Sequence, residues 1–153
     1  MARRRRILLP AAALTLALVP GPALASPGHG GQAPPTPGAP GIGDPYFPLD
    51  GNGGYDVQHY DIDLRYDPAT DELTATTTVD AVATQSLSSF NLDFQGLTVD
   101  AITVDHHPAG WSRDAGELTV TPHRPLWAGD DFTAVISYHG VPETIHDLSL
   151  IHI

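Results

Sequence analysis

From Tyr60 onward the chain alternates apolar and polar residues with a period of two. Tyr60, Ile62, Leu64 and Tyr66 share one parity, and Asp61, Asp63 and Arg65 the other. Successive side chains of an extended chain point to opposite faces, so the run predicts a half-exposed β-strand with its apolar set inward. Tyr55, Val57 and His59 carry the opposite parity, which predicts a bulge or kink near Gln58. The run stops at Asp67-Pro68-Ala69-Thr70-Asp71, which is turn chemistry. Alternation then resumes, with Leu73, Ala75, Thr77, Val79, Ala81 and Ala83 inward against Glu72, Thr74, Thr76, Thr78 and Asp80. The density of β-branched residues there favours strand over helix. Phe90, Leu92 and Phe94 are expected inside, with Asn91, Asp93 and Gln95 outside. Further strands are predicted over 97–104, 117–122 and 131–140, separated by the turn-rich stretches 105–116 and 123–130. No segment sustains a helical period. Six strands at this spacing predict an all-β domain, an incomplete antiparallel β-sandwich or saddle-like sheet.

The amino-terminal residues follow a different pattern. Arg3 to Arg6 form a basic start, Ile7 to Val19 an apolar stretch, and Ala23-Leu24-Ala25 a small-residue cleavage site before Ser26. This predicts a secretory signal peptide over 1–25, cut between Ala25 and Ser26, and a secreted, extracellular product; an uncleaved anchor is the alternative. The apolar stretch is short for a membrane span, so no membrane association is expected after cleavage. Residues 26–43, nearly all Pro, Gly and small side chains, predict a flexible linker. The β-domain is then expected over 44–145, with an atypical tail at 146–153.

Charge narrows the partners. Four of the seven basic residues lie in the leader. Over residues 26–153 the full chain's net charge of −11 therefore falls to −15, where the three positive charges of Arg65, Arg113 and Arg124 face all 18 Asp and Glu. Phosphate contacts need a basic surface, so a nucleic-acid partner is not expected. No Cys is present, which removes disulfides, thiol nucleophiles and thiolate ligands.

The dense polar stretches offer candidate sites. His106-His107 is a possible metal pair, but adjacent residues of an extended chain point apart and zinc needs three or four convergent ligands; a hairpin with exposed imidazoles is the simpler reading. Asp50, Asn52 and Asp61 fill positions 1, 3 and 12 of a calcium loop, yet Gly54 and Tyr55 occupy the fifth and sixth, where the motif wants an oxygen ligand and then Gly. A Gly-rich turn feeding a strand explains the same residues. Neither G-x-S-x-G nor H-E-x-x-H occurs, and His146 and His152 have the wrong spacing for a zinc helix. Trp111 and Trp127 are read as closing the ends of the core, with sugar stacking as the alternative. No catalytic, metal-binding or cofactor-binding residue is therefore assigned.

Three blocks carry a family resemblance: Asp44-Pro45-Tyr46-Phe47-Pro48, Gly51-Asn52-Gly53-Gly54-Tyr55-Asp56 and His59-Tyr60-Asp61-Ile62-Asp63-Leu64. Together with the later "FNLDFQGLTVDAITVD" and "LTVTPHRPLWAGDDFTAVISYHGVP", they resemble the start of secreted zinc aminopeptidases of the aminopeptidase-N type, over roughly residues 43–142. The resemblance implies a β-rich saddle domain that packs on a thermolysin-like catalytic domain. That domain holds zinc through H-E-x-x-H and a further Glu, and binds the substrate amine through G-A-M-E-N. Neither motif occurs here, so zinc and peptide substrates are expected only through a parent enzyme, with the missing catalytic domain as partner. The ending "HDLSLIHI" departs from the family and resembles a foreign-frame tail, which points to a truncated gene model. A partial sandwich implies unpaired strand edges, an uncovered face and marginal stability. A stand-alone exported binding module for carbohydrate or protein, and a tethered spacer, are the competing readings.

Overall fold

Alternation of small, β-branched and aromatic residues translates into two facing sheets. The computed structural model describes residues 31–46, 51–114 and 116–143, and every regular element among them is a strand. The leader with its Ala25–Ser26 junction and the tail 146–153 lie outside the described residues.

The larger sheet begins with β2 (Tyr55–Asp67), which returns through the 67–71 turn as β3 (Glu72–Ala83). The register slips between Val57 and His59, which places the expected bulge at Gln58. Beside β3 lies β9 (Asp131–Gly140), then β5 (Thr98–Val104), then the short β6 (His107–Pro108). The smaller sheet is ordered β1 (Thr36–Pro37), β4 (Leu87–Asp93), β8 (Glu117–Thr121) and β7 (Gly110–Asp114). All pairings are antiparallel except β1 with β4. Only Ala109 separates β6 from β7, so the chain changes sheets at one buried residue, whose N–H bonds Ile102 O at 3.0 Å.

The core lies between the sheets. Val79, Ala81, Ile102, Phe132, Ala134 and Ile136 on one side meet Leu87, Phe90, Leu118 and Val120 on the other. Tyr55, Phe90 and Phe132 form an aromatic cluster with ring centroids 5.2–6.1 Å apart. Phe94 meets Tyr138 edge-on at 5.2 Å, and the Arg113 guanidinium lies over the Phe94 ring while donating to Leu97 O and Phe94 O.

Four expectations are corrected. First, the apolar row of β2 is not buried: Tyr60, Ile62, Leu64 and Tyr66 are 48–58% exposed. Their register partners Val79, Thr77, Ala75 and Leu73 put them on the core-facing side, but the smaller sheet does not extend over them. Second, the linker reading fails at its distal end. Thr36–Pro37 pairs with β4, Gly38 N–H bonds Ser89 O at 2.9 Å, and Gly53 N–H bonds Ala39 O at 2.9 Å. Gly38 is buried at this crossing, where a Cβ would meet Gly53 O at 2.7 Å. Third, Asn91, expected outside, is 7% exposed. Its amide donates to Gly38 O and accepts from the Thr119 hydroxyl at 2.7 Å, so the same early segment explains its burial. Fourth, part of the stretch read as turn is paired: β6 and β7 are edge strands whose Gly and Pro content hid them, and Trp111 on β7 is 42% exposed rather than closing the core. Trp127 is half-buried, nearer to its expected role.

The contrast between covered and uncovered apolar residues has a measurable consequence. Leu118 is fully buried, so Leu118→Ala should cost about 2–5 kcal/mol and unfold much of the population. Ile62→Thr should change stability by no more than about 0.5 kcal/mol, because that side chain already faces water. Urea denaturation followed by circular dichroism compares the two directly.

Candidate functional site

A site needs concavity and convergent polar groups, and the cleft beside β2 has both. It encloses about 440 Å³ between the bulged strand and the end of β4, with Tyr55, Tyr60, Leu92, Phe94 and Tyr138 among its walls. The glycine-rich turn 51–54 forms one lip. Its conformation is imposed by packing: Gly54 has φ +100, and a Cβ there would meet Leu87 Cδ2 at 2.8 Å. Asp93, at the end of β4, holds this turn. One carboxylate oxygen accepts the Gly51 N–H and the other the Asn52 side-chain amide, each at 3.2 Å. Across the strand pair Asp93 faces Glu117 of β8. Asn52 Oδ1 and Glu117 Oε2 are buried atoms with no hydrogen-bond partner among the described residues.

The electrostatics follow from this crowding. Desolvation, then the neighbouring Asp93 charge, hold the Glu117 carboxyl above its usual range. Burial pushes the Tyr55 hydroxyl up, with Tyr60, Asp93 and Glu117 adding to the effect, and that hydroxyl donates to Asn91 O at 2.7 Å. Donation to Asp71 at 2.6 Å holds the Tyr66 hydroxyl above its usual range, with desolvation and the Asp71 charge adding to the effect.

A second cleft of about 680 Å³ lies at the opposite corner, lined by Asp105, His107, His123, Arg124, Trp127 and Asp130 among others. Asp105 and His106 have positive φ and make the tight β5–β6 turn, while the His107 ring stacks on His123 at 5.7 Å and 4°. His107 Nδ1 lies 2.8 Å from Asp105 O. Parallel stacked rings direct their in-plane lone pairs along separate planes, so this pair does not converge on one ion. Among the described residues no group of three or more His, Asp or Glu could hold a metal. The described residues therefore do not fit zinc. Of the calcium-loop residues, Asn52 is tied to Asp93, Asp61 lies opposite Thr78 on the outward parity of β2, and Asp50 falls outside the described residues. His146 and His152 also fall outside them. The structure joins Asn52 to Asp93 instead, a pairing across 41 residues that no local motif signals.

The raised Glu117 carboxyl gives a signed pH effect. The folded protein binds this proton more tightly than the unfolded chain, so deprotonation destabilises as pH rises through the raised value. Glu117→Gln should therefore be neutral or stabilising at pH 7, by less than about 1 kcal/mol, with the gain vanishing under acid conditions. Thermal melts of both proteins at pH 7 and pH 4 check it.

With the geometry in place, comparison with known proteins is informative. No protein-family model matches the chain, and no curated protein does. Solved structures do. The M1 zinc metallopeptidase from Deinococcus radiodurans is 35% identical over 67% of this chain and 24% of its own, with a TM-score of 0.62. A two-domain M1 zinc metallopeptidase bound to L-tryptophan is 34% identical over 72% of this chain and 26% of its own, with a TM-score of 0.65. Another, bound to L-arginine, is 34% identical over 70% and 25%, with a TM-score of 0.64. The chain thus spans about a quarter of the length of the structures it matches. In sequence and in fold, this β-domain is thus similar to M1 zinc metallopeptidases over about a quarter of their length, at 34–35% identity.

Proposed function

We propose that the chain is the non-catalytic amino-terminal β-domain of a secreted zinc aminopeptidase, whose catalytic domain removes amino-terminal residues from peptides. The observation that carries this is the match at 34–35% identity to M1 zinc metallopeptidases over about a quarter of their length. A variant of the Deinococcus enzyme was solved with a Tyr-Ser-Ala substrate, which supports peptides as the parent's substrate class. The basic, apolar, small-residue order of the leader supports export. Zinc belongs to the parent's catalytic domain, since H-E-x-x-H and G-A-M-E-N do not occur in this sequence. In this role the chain contributes a rigid sheet and a docking face, and its own carboxylates perform no chemistry.

Trp111 supports a second reading. At 42% exposure on edge strand β7 it offers a flat apolar platform of the kind that stacks on sugars, as a stand-alone binding module would.

The expected outcome with aminoacyl-anilide substrates and added zinc is no release by the full chain, and turnover there would overturn the non-catalytic role. Genomic sequence downstream of this reading frame should encode both G-A-M-E-N and H-E-x-x-H; an intact intergenic region there would overturn the parent enzyme. Quenching of tryptophan fluorescence by oligosaccharides, lost in Trp111→Ala, would instead establish the binding module.

A further inference from the structure

The cleft beside β2 holds one acceptor without a donor and two carboxylates. Asn52 Oδ1 is a buried atom unpaired among the described residues, whereas Asp93 accepts from Gly51 N–H and the Asn52 amide and Asp56 from the Gln58 amide. A buried acceptor left unpaired costs about 1–3 kcal/mol, so a donor entering the cleft would gain there.

The walls select among donors. A hard dication such as calcium takes about six to eight oxygen ligands and gains nothing from aromatic rings. A guanidinium is planar, carries five donors, is weakly hydrated and stacks on aromatic faces, and Tyr55, Tyr60 and Tyr138 are among the cleft's walls. Of the chain's own arginines, Arg113 already lies over the Phe94 ring and is engaged with Leu97 O and Phe94 O, Arg65 has the outward parity of β2, and Arg124 lines the other cleft. The cleft also opens onto the uncovered row that begins at Tyr60. An occupant must then be apolar on either side of its cation, and it meets a chain with a formal net charge of −11.

We propose that this cleft is a docking site for an arginine side chain carried on an extended segment of the parent's catalytic portion, with flanking apolar residues resting on Ile62 and Leu64. The identity of the donor polypeptide rests on the function proposed above. The preference of the cleft for a guanidinium does not.

The test titrates the full chain with a synthetic peptide of alternating Val and Arg, observed by two-dimensional amide NMR. Shifts should concentrate at Asn52, Asp93 and Tyr60. The same peptide with citrulline, neutral and nearly isosteric, should bind at least ten-fold more weakly, and binding should weaken in 0.5 M salt. Asn52→Leu should lower affinity at least five-fold. Asp56→Asn, at an exposed residue, should lower it two- to three-fold with an unchanged melt, which keeps the test open if Asn52→Leu does not fold. Equal binding of the citrulline peptide, shifts confined to other surfaces, or no binding at millimolar peptide would overturn the proposal. If the peptide binds but no metallopeptidase is encoded downstream, the donor assignment falls and the cleft chemistry stands. If the enzyme is encoded but the peptide does not bind, the docking proposal falls alone.

Discussion

Two sheets of unequal extent must share one apolar layer, and the rest of the architecture depends on how that inequality is met. Where both sheets are present, Phe90, Leu118 and Val120 press against Phe132, Ala134 and Ile136, and water is excluded. The chain crosses between sheets at Ala109, whose small side chain lets β6 and β7 lie almost end to end. Beyond the reach of the smaller sheet the same inward parity continues along β2 without a cover. Burial ends there while the alternation does not, and that mismatch creates both the exposed row and the cleft at its start.

This mismatch also decides how much was legible in the sequence. Period-two alternation located β2, β3, β4, β5, β8 and β9, because each carries a run of alternating apolar residues. The parity change at Gln58 located the bulge, because one extra residue inverts every side chain after it. Parity cannot say whether a facing layer exists, so Tyr60 to Tyr66 read as buried. Pro- and Gly-rich composition concealed β1, which is held by backbone pairing with β4 and by the Gln85 amide rather than by an alternating apolar set. The burial of Asn91 was hidden for the same reason, since its cover is the backbone of Gly38.

The polar residues followed a different logic. Asp61 and Asp63 proved to be the solvent side of a strand, as alternation required. The turn 51–54 is a packing element held by Asp93. Its tie to Asp93 joins residues far apart in sequence, so only the fold could reveal the acceptor-rich cleft. Family resemblance reached further than residue chemistry here, because it rested on blocks such as Gly51–Asp56 and His59–Leu64 whose likeness extends over 67–72% of the chain.

Among the described residues, strand β2 is also an outer strand of its sheet, with one edge free of a neighbour in the sheet order. A second copy approaching antiparallel, in the register centred on Ile62, would set Asp61 against Asp63 twice over. Like charges directly opposed across a strand pair repel. Evenly spaced acidic side chains thus act as gatekeepers against fibrillar stacking, on the very strand whose greasy side would otherwise invite it.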